Sequence, residues 1–506
     1  MPDACQPPAT VQELLDRCQV HVVTLRRSAM FAMSRGAKEL FHTNFLAFVL
    51  ELDVASLDEA DQTAVAQAQK ALLTRLFGAP APDKVVAWRE VRRLDLVLAA
   101  QPETDPRGKH RLNRRAALDG QPARSSKTAA PLPDGLGASV VIIEAKLKAV
   151  PDAEQLQRYD QVLHAGLCLE LEPEHEFADR PKSPAWGRLD VKTLKAGSEH
   201  ASLRAYPPTQ SNQSAQTGAA TRRCIATGHG QVHRVLLAPA DHGRVACAAG
   251  WRFLPWSDLL DDFDASTTGK QGAVAAMLHD YACSTRALLA VLQEVADFVG
   301  FGFARAGNTL QLRDVTATPA RFQSLRIHDV IGKYAFSVLQ TVLTETLNSR
   351  GIRQCVGDWR LEAEVFMTRG MPGLCIEYRL GDPAGHEGPH VSLGVQIQSN
   401  AYRHYISASH PSMANSELSL QDLTKLVGSG NSLDGSWWAL ETAADKPLKK
   451  FNADGFLYAD VDAASWAFER LQKRVTESMT LAVSLVQDEH FCEAARELLR
   501  SRRRAP

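Results

Sequence analysis

The stretch that most constrains this chain runs from Ser139 to Tyr159, SVVIIEAKLKAVPDAEQLQRY. The apolar run Val140-Val141-Ile142-Ile143 reads as a buried strand, and it ends in Glu144-Ala-Lys146. β-Branched residues in an unbroken series suit a strand covered on both faces. Residues two apart on a strand project to the same side, so Glu144 and Lys146 share a face. A turn follows at Pro151, then a helix carrying Gln155 and Tyr159. A carboxylate and a lysine at a strand end can hold a divalent metal and orient a water beside it. One more carboxylate completes such a site.

Asp95 supplies it. Two strand candidates precede the Glu144 strand, KVVAWRE from Lys84 and RLDLVLA from Arg93. In the second, Asp95 interrupts Leu94, Leu96, Val97 and Leu98, where an acid is costly unless something compensates it. Pairing that strand with the next one gathers Asp95, Glu144 and Lys146 into an oxygen-rich site suited to Mg²⁺. The metal lowers the pKa of a bound water, and Lys146 orients that water or neutralises developing charge. This is phosphodiester hydrolysis in outline. A Glu-x-Lys triplet alone carries little weight. Asp190-Val-Lys192 matches the bare pattern but has no apolar strand before it.

The remaining chain reads as follows. Val11 to Phe31 is a helix, Gly36 breaks it, and Ala37 to Leu52 is a second helix with Glu39 and His42 as surface neighbours three apart. A third helix, Glu59 to Phe77, stops at Gly78, Pro80 and Pro82. Residues 101–137 read as a flexible basic loop with Arg107, Lys109, Arg111, Arg114, Arg115, Arg124 and Lys127, more a solvated linker than a phosphate-binding surface. Residues 171–231 read as a second insertion. His233 to Pro239 and Trp251 to Leu254 are strands, Trp256 to Phe263 opens a helix with Ser257 as N-cap, and Ala273 to Val299 is a long helix closing the first domain. Beyond a helix at Ile327 to Asn348, alternating runs from Trp359, Leu374, His390 and Ala401 form an antiparallel meander. A strand from Gly455 and a helix from Ala463 to Gln487 lead to a tail with Arg500, Arg502, Arg503 and Arg504. Trp437, Trp438 and the AYRHY strand are better read as sheet core than as base-stacking groups.

A formal net charge of -1 over 506 residues gives no global signal for a polyanion. The 9 cysteines are scattered without a CxxC pair, against a zinc ribbon or a disulfide framework. No secretory signal opens the chain, and no stretch reaches the ~18 or more apolar residues expected of a membrane span. The expectation is a cytoplasmic protein with reduced thiols and no membrane partner.

The order of helix, strand with Asp95, strand with Glu144-Ala-Lys146, and helix with Gln155-Leu-x-x-Tyr159 resembles the PD-(D/E)XK nuclease superfamily. With Glu39-x-x-His42-Thr-Asn-x-Leu-Ala and Arg93-Leu-Asp95-Leu-Val-Leu added, it is similar to a RecB-like prokaryotic group within it, over about residues 30–300. The resemblance implies an α/β fold with a restriction-endonuclease-like core, a mixed central sheet flanked by helices, in residues 1–300. Residues 301–506 would then be a C-terminal α+β domain with an antiparallel sheet, for recognition or regulation. It further implies Asp95 and Glu144 as Mg²⁺ ligands (Mn²⁺ substituting), Lys146 as the catalytic lysine, Glu39 with His42 assisting at the metal, and Gln155 and Tyr159 positioning the DNA backbone or the site. The expected activity is metal-dependent cleavage of DNA, in restriction or anti-phage defence, as a homo-oligomer or with a defence-system partner. An RNA-directed nuclease and a catalytically inactive nucleic-acid-binding or regulatory protein are the alternatives. No proline precedes Asp95, and the segment between Asp95 and Glu144 is longer than the tight hairpin the family prefers.

Overall fold

The computed structural model describes residues 6–78, 81–82, 85–91, 94–100, 140–146, 156, 168–171, 205–206, 223–226, 232–239, 250–305, 307, 309–368, 371–381, 390–409, 437, 449–451 and 456–503. The chain forms two compact units, one of Arg27–Leu289 and one of Met1–Arg26 with Ala290–Pro506. The sequence placed a boundary at residue 300. The division along the chain falls instead between Leu289 and Ala290, within the long helix, and the first residues of the chain group with the C-terminal part.

The mixed α/β fold begins with α1 (Val11–Arg27) and α2 (Ala29–Glu51). The break expected at Gly36 is absent: α2 runs through it, and the chain instead breaks at Ser28. There the Ser28 hydroxyl accepts the Phe31 N–H at 2.9 Å, and Met30 N–H donates to Asp280. A good N-cap outweighs a mid-helix glycine, whose cost is only about 1 kcal/mol relative to alanine. Helix α3 (Glu59–Phe77) ends at Gly78, where φ is 87°.

Strands β1 (Val85–Val91), β2 (Leu94–Ala100), β3 (Val140–Ala145), β7 (Val232–Ala238) and β8 (Arg252–Pro255) make one five-stranded sheet in the order β1-β2-β3-β7-β8. The first three pair antiparallel, and β3, β7 and β8 are parallel. Strand β3 is therefore central. Val141, Ile142 and Ile143 are fully buried on it, as are Val235, Leu236 and Leu237 on β7. Three short strands, β4 (Cys168–Leu171), β5 (Ala205–Tyr206) and β6 (Arg223–Ala226), form a separate antiparallel sheet, β4 leading into the expected insertion at 171–231 and β5 and β6 lying within it. The basic loop 101–137 lies outside the described residues.

Helix α4 (Trp256–Thr267) starts two residues earlier than an N-cap at Ser257 would place it, with Pro255 at the N-cap position. Ser257 lies inside the helix and its hydroxyl faces Asp258 rather than capping. Helix α5 (Ala273–Ala304) follows. Among the described residues it is the one helix long and apolar enough to cross a membrane by length and composition, which the sequence reading did not anticipate. Its Leu278, Tyr281 and Ala282, and further on Val291, Val295 and Phe298, are buried, the pattern of a core helix.

The second unit is built on seven antiparallel strands in the order β14-β15-β13-β12-β11-β10-β9. These are β9 (Cys355–Val356), β10 (Trp359–Thr368), β11 (Met371–Gly381), β12 (His390–Gln398), β13 (Ala401–Ser409), β14 (Lys449–Phe451) and β15 (Phe456–Asp462). Helices α6 (Leu312–Arg321) and α7 (His328–Ser349) precede it, and α8 (Phe468–Gln487) and α9 (Glu489–Arg503) follow. The alternation of the meander sorts its two faces. Leu374, Ile376, Tyr378, Leu393, Val395 and Ile397 are buried on the helix-covered face, where Tyr402 and His404 both reach Ser478 of α8. Cys375, Glu377, Arg379 and Tyr405 lie on the other face. The arginine-rich tail continues as helix α9, with Phe491, Cys492 and Ala495 buried on one side. Trp437 is buried and stacks on His404 at 4.4 Å between ring centroids, so the core reading holds for it; Trp438 is not among the described residues.

Candidate active site

The site begins with strand register. Leu96 pairs with Ile143 and Val97 with Ile142 in the antiparallel β2–β3 ladder. One step further along that register, Asp95 falls opposite Glu144, and directly opposed residues share a face of the sheet. The acid in β2 is compensated from the same ladder: Asp95 Oδ2 accepts the Ala145 N–H at 2.9 Å. The length of the intervening segment does not keep Asp95 from the end of β3.

Glu144 is 0 % exposed and Lys146 only 6 %. Their side chains meet, Nζ to Oε1, at 2.7 Å. Burying both charges is expensive in isolation, and the direct charge-assisted contact offsets that cost. The lysine backbone is fixed from two sides. Its N–H donates to the Leu237 carbonyl of β7 at 2.7 Å, and its carbonyl accepts the Trp256 indole N–H at 3.3 Å. Trp256 is itself fully buried at the start of α4. The parallel strand β7 and helix α4 thus anchor the end of β3 on which the lysine sits.

The first-helix residues divide. His42 is buried on α2, its Nδ1 3.0 Å from the Tyr281 hydroxyl and its ring edge-on to Trp256 at 5.6 Å between centroids. It therefore packs against the indole that holds the Lys146 carbonyl. Burial pushes the Tyr281 phenol far above its ordinary range, so the hydroxyl stays a neutral hydrogen-bonding partner. Glu39 lies on α2 three residues before His42, but its side chain is not among the described residues. Gln155 and Tyr159 also fall outside them, and only Leu156 between them is described, helical and buried.

The structure brings Asp95, Glu144 and Lys146 to one strand end. Trp256 and Tyr281 were missed by sequence reasoning. A tryptophan at a strand-to-helix junction is the one local signal that could have drawn attention to the first, and nothing local marks the second. Asp95 and Glu144 offer carboxylate oxygens, the donor type a hard cation such as Mg²⁺ prefers, and no soft ligand intrudes on the pair among the described contacts. No known family model matches the chain, and neither a curated protein nor a solved structure shows significant similarity to it.

Proposed function

We propose that this chain is a metal-dependent nuclease of the PD-(D/E)XK kind, hydrolysing phosphodiester bonds and acting on DNA. The observation that carries the reading is the register of β2 and β3, which sets Asp95 against Glu144 beside Lys146 on a central strand. The five-stranded sheet, antiparallel from β1 to β3 and parallel over β3, β7 and β8, supports a restriction-endonuclease-like core. In this reading Asp95 and Glu144 hold Mg²⁺, or Mn²⁺ in its place, with Glu39 contributing from α2. When bound, the ion supplies a more acidic water and charge neutralisation at phosphate. Lys146 keeps its ammonium at the strand end through the β7 and Trp256 contacts, where it orients the attacking water and stabilises negative charge. Gln155 and Tyr159 position the nucleic-acid backbone. Restriction or anti-phage defence in the cytoplasm, with the C-terminal unit recognising substrate or partner, extends the same reading by analogy of fold.

A specific observation favours a second reading. Glu144 is fully buried and already engaged by Lys146, the state expected of a structural ion pair in a nuclease-fold binding or regulatory protein. The deciding experiment compares the full chain with Asp95→Asn. Asparagine still accepts the Ala145 N–H but removes the charge. Plasmid, linear duplex, single-stranded DNA and RNA are each incubated with Mg²⁺, Mn²⁺ or chelator. The nuclease reading expects metal-dependent cleavage by the wild type, reduced on the order of 10²-fold or more in the variant. Equal cleavage by both proteins sinks the site. A wild type that cuts nothing but binds nucleic acid with salt-sensitive affinity supports the second reading, and preferential cleavage of RNA reassigns the substrate.

A further inference from the structure

Three donors of a different character meet on α4 and α5. His279 and Cys283 lie four residues apart on α5, so one helix face carries both. Asp264 faces them from α4, and one donor atom from each of the three lies within 4.8 Å of the other two. His279 Nδ1 is 3.5 Å from Asp264 Oδ1, while Cys283 Sγ is 3.4 Å from the opposite ring nitrogen, Nε2, so an ion shared by all three takes one of these nitrogens and needs a turn of the exposed imidazole. The other carboxylate oxygen, Oδ2, is held by Arg286, which also binds Asp261 at 2.7 Å. That clamp leaves Oδ1 turned toward the imidazole, sheltered from solvent and without a hydrogen bond. A sheltered carboxylate oxygen whose one close neighbour is an imidazole nitrogen at 3.5 Å is poorly satisfied, and a cation at this point improves it.

We propose that Asp264, His279 and Cys283 form a metal site whose ion is Zn²⁺. The mixed oxygen, nitrogen and sulfur set is wrong for Mg²⁺ or Ca²⁺, which take oxygen alone. It suits zinc, for which three protein ligands leave a fourth, open position for water. The His279 side chain is 62 % exposed, so ion and water enter from solvent. Arg286 acts from behind the carboxylate, fixing which oxygen faces the ion, as outer partners of metal ligands do. Asp261 balances its charge. On binding, the Cys283 sulfur bonds zinc and its proton passes to the buffer.

The test is a titration of the metal-free full-length protein with Zn²⁺, read by competition with a chromophoric chelator, and with Co²⁺, read by thiolate-to-cobalt absorption in the near ultraviolet. The expected result is one ion per chain with micromolar or tighter affinity. His279→Ala and Cys283→Ser should each weaken it by ~100-fold or more, and the serine variant should lose the absorption band. Circular dichroism establishes that both variants are folded. Asp95→Asn must bind zinc as the wild type does, which separates this site from the strand-end carboxylates. A wild type that takes up no zinc, or variants that keep its affinity, would overturn the proposal. So would a cobalt complex without the thiolate band.

Discussion

At the scale of the residue, the Glu144–Lys146 pair decides how the candidate active site can be probed. Glu144 has no exposure, so removing the lysine withdraws a charge-assisted contact from a buried acid rather than from a solvated one. Lys146→Met should therefore cost about 3–5 kcal/mol of stability in denaturant unfolding, and Glu144→Leu combined with it should recover much of that loss. A single variant as stable as the wild type would show that the pair is not held in the buried, charged form. Loss of cleavage in a lysine variant thus mixes chemistry with folding, and Asp95→Asn is the cleaner substitution. The acid in β2 was legible in the sequence because an aspartate among leucines and valines demands compensation. Which group compensates it was not, since the Ala145 N–H becomes available only through pairing across the intervening segment. The same limit applies to His42, whose hydroxyl partner Tyr281 is 239 residues distant.

At the scale of the element, the sequence located helices and strands well where their pattern is local. The meander from β10 to β13 and the apolar strands β3 and β7 follow from alternation and from unbroken β-branched runs. It failed at the first helix boundary. The break expected at Gly36 falls instead at Ser28, whose hydroxyl satisfies an otherwise orphaned N–H at the start of α2. Ser28→Ala should accordingly destabilise the unit containing α2 by ~1 kcal/mol, seen as a lower denaturant midpoint with unchanged slope. An unaltered midpoint would mean that the Asp280 contact to Met30 N–H caps the helix by itself. Helix α9 was overlooked because its arginines dominate the composition, although Phe491, Cys492 and Ala495 give it a buried stripe. The His279 and Cys283 spacing was visible in the sequence, but Asp264 joins them only when α4 folds against α5.

At the scale of the whole molecule, what local pattern cannot convey is which distant segments group together: residues Met1–Arg26, which hold most of α1, group with Ala290–Pro506. Long-range packing also sets how the Ala290–Pro506 unit responds to pH, through two buried groups that pull in opposite directions. Burial pushes the His404 imidazole down to about 4, against a smaller opposing effect of the Trp437 carbonyl. Below its ordinary pKa of about 6.5 the unfolded chain binds a proton the folded one refuses. Its contribution to stability is therefore lost as pH falls from about 6.5 toward about 4, by up to ~3 kcal/mol. Glu377 does the reverse. Burial raises its carboxyl despite hydrogen bonds from Tyr405 and Ser392, so the folded state retains a proton that the unfolded state has released. That contribution is complete below the ordinary carboxylate pKa and is lost as pH climbs through the raised one. Over the shared window the two slopes partly cancel, and the wild type should be flatter than either variant. Relative to wild type at each pH, His404→Gln should gain stability toward pH ~4.5 and Glu377→Gln toward pH ~7.5. Denaturant unfolding of all three proteins across that range measures the differences. Difference curves that stay level would show that neither group changes its proton occupancy on folding, and curves tilting the other way would reverse the assigned directions.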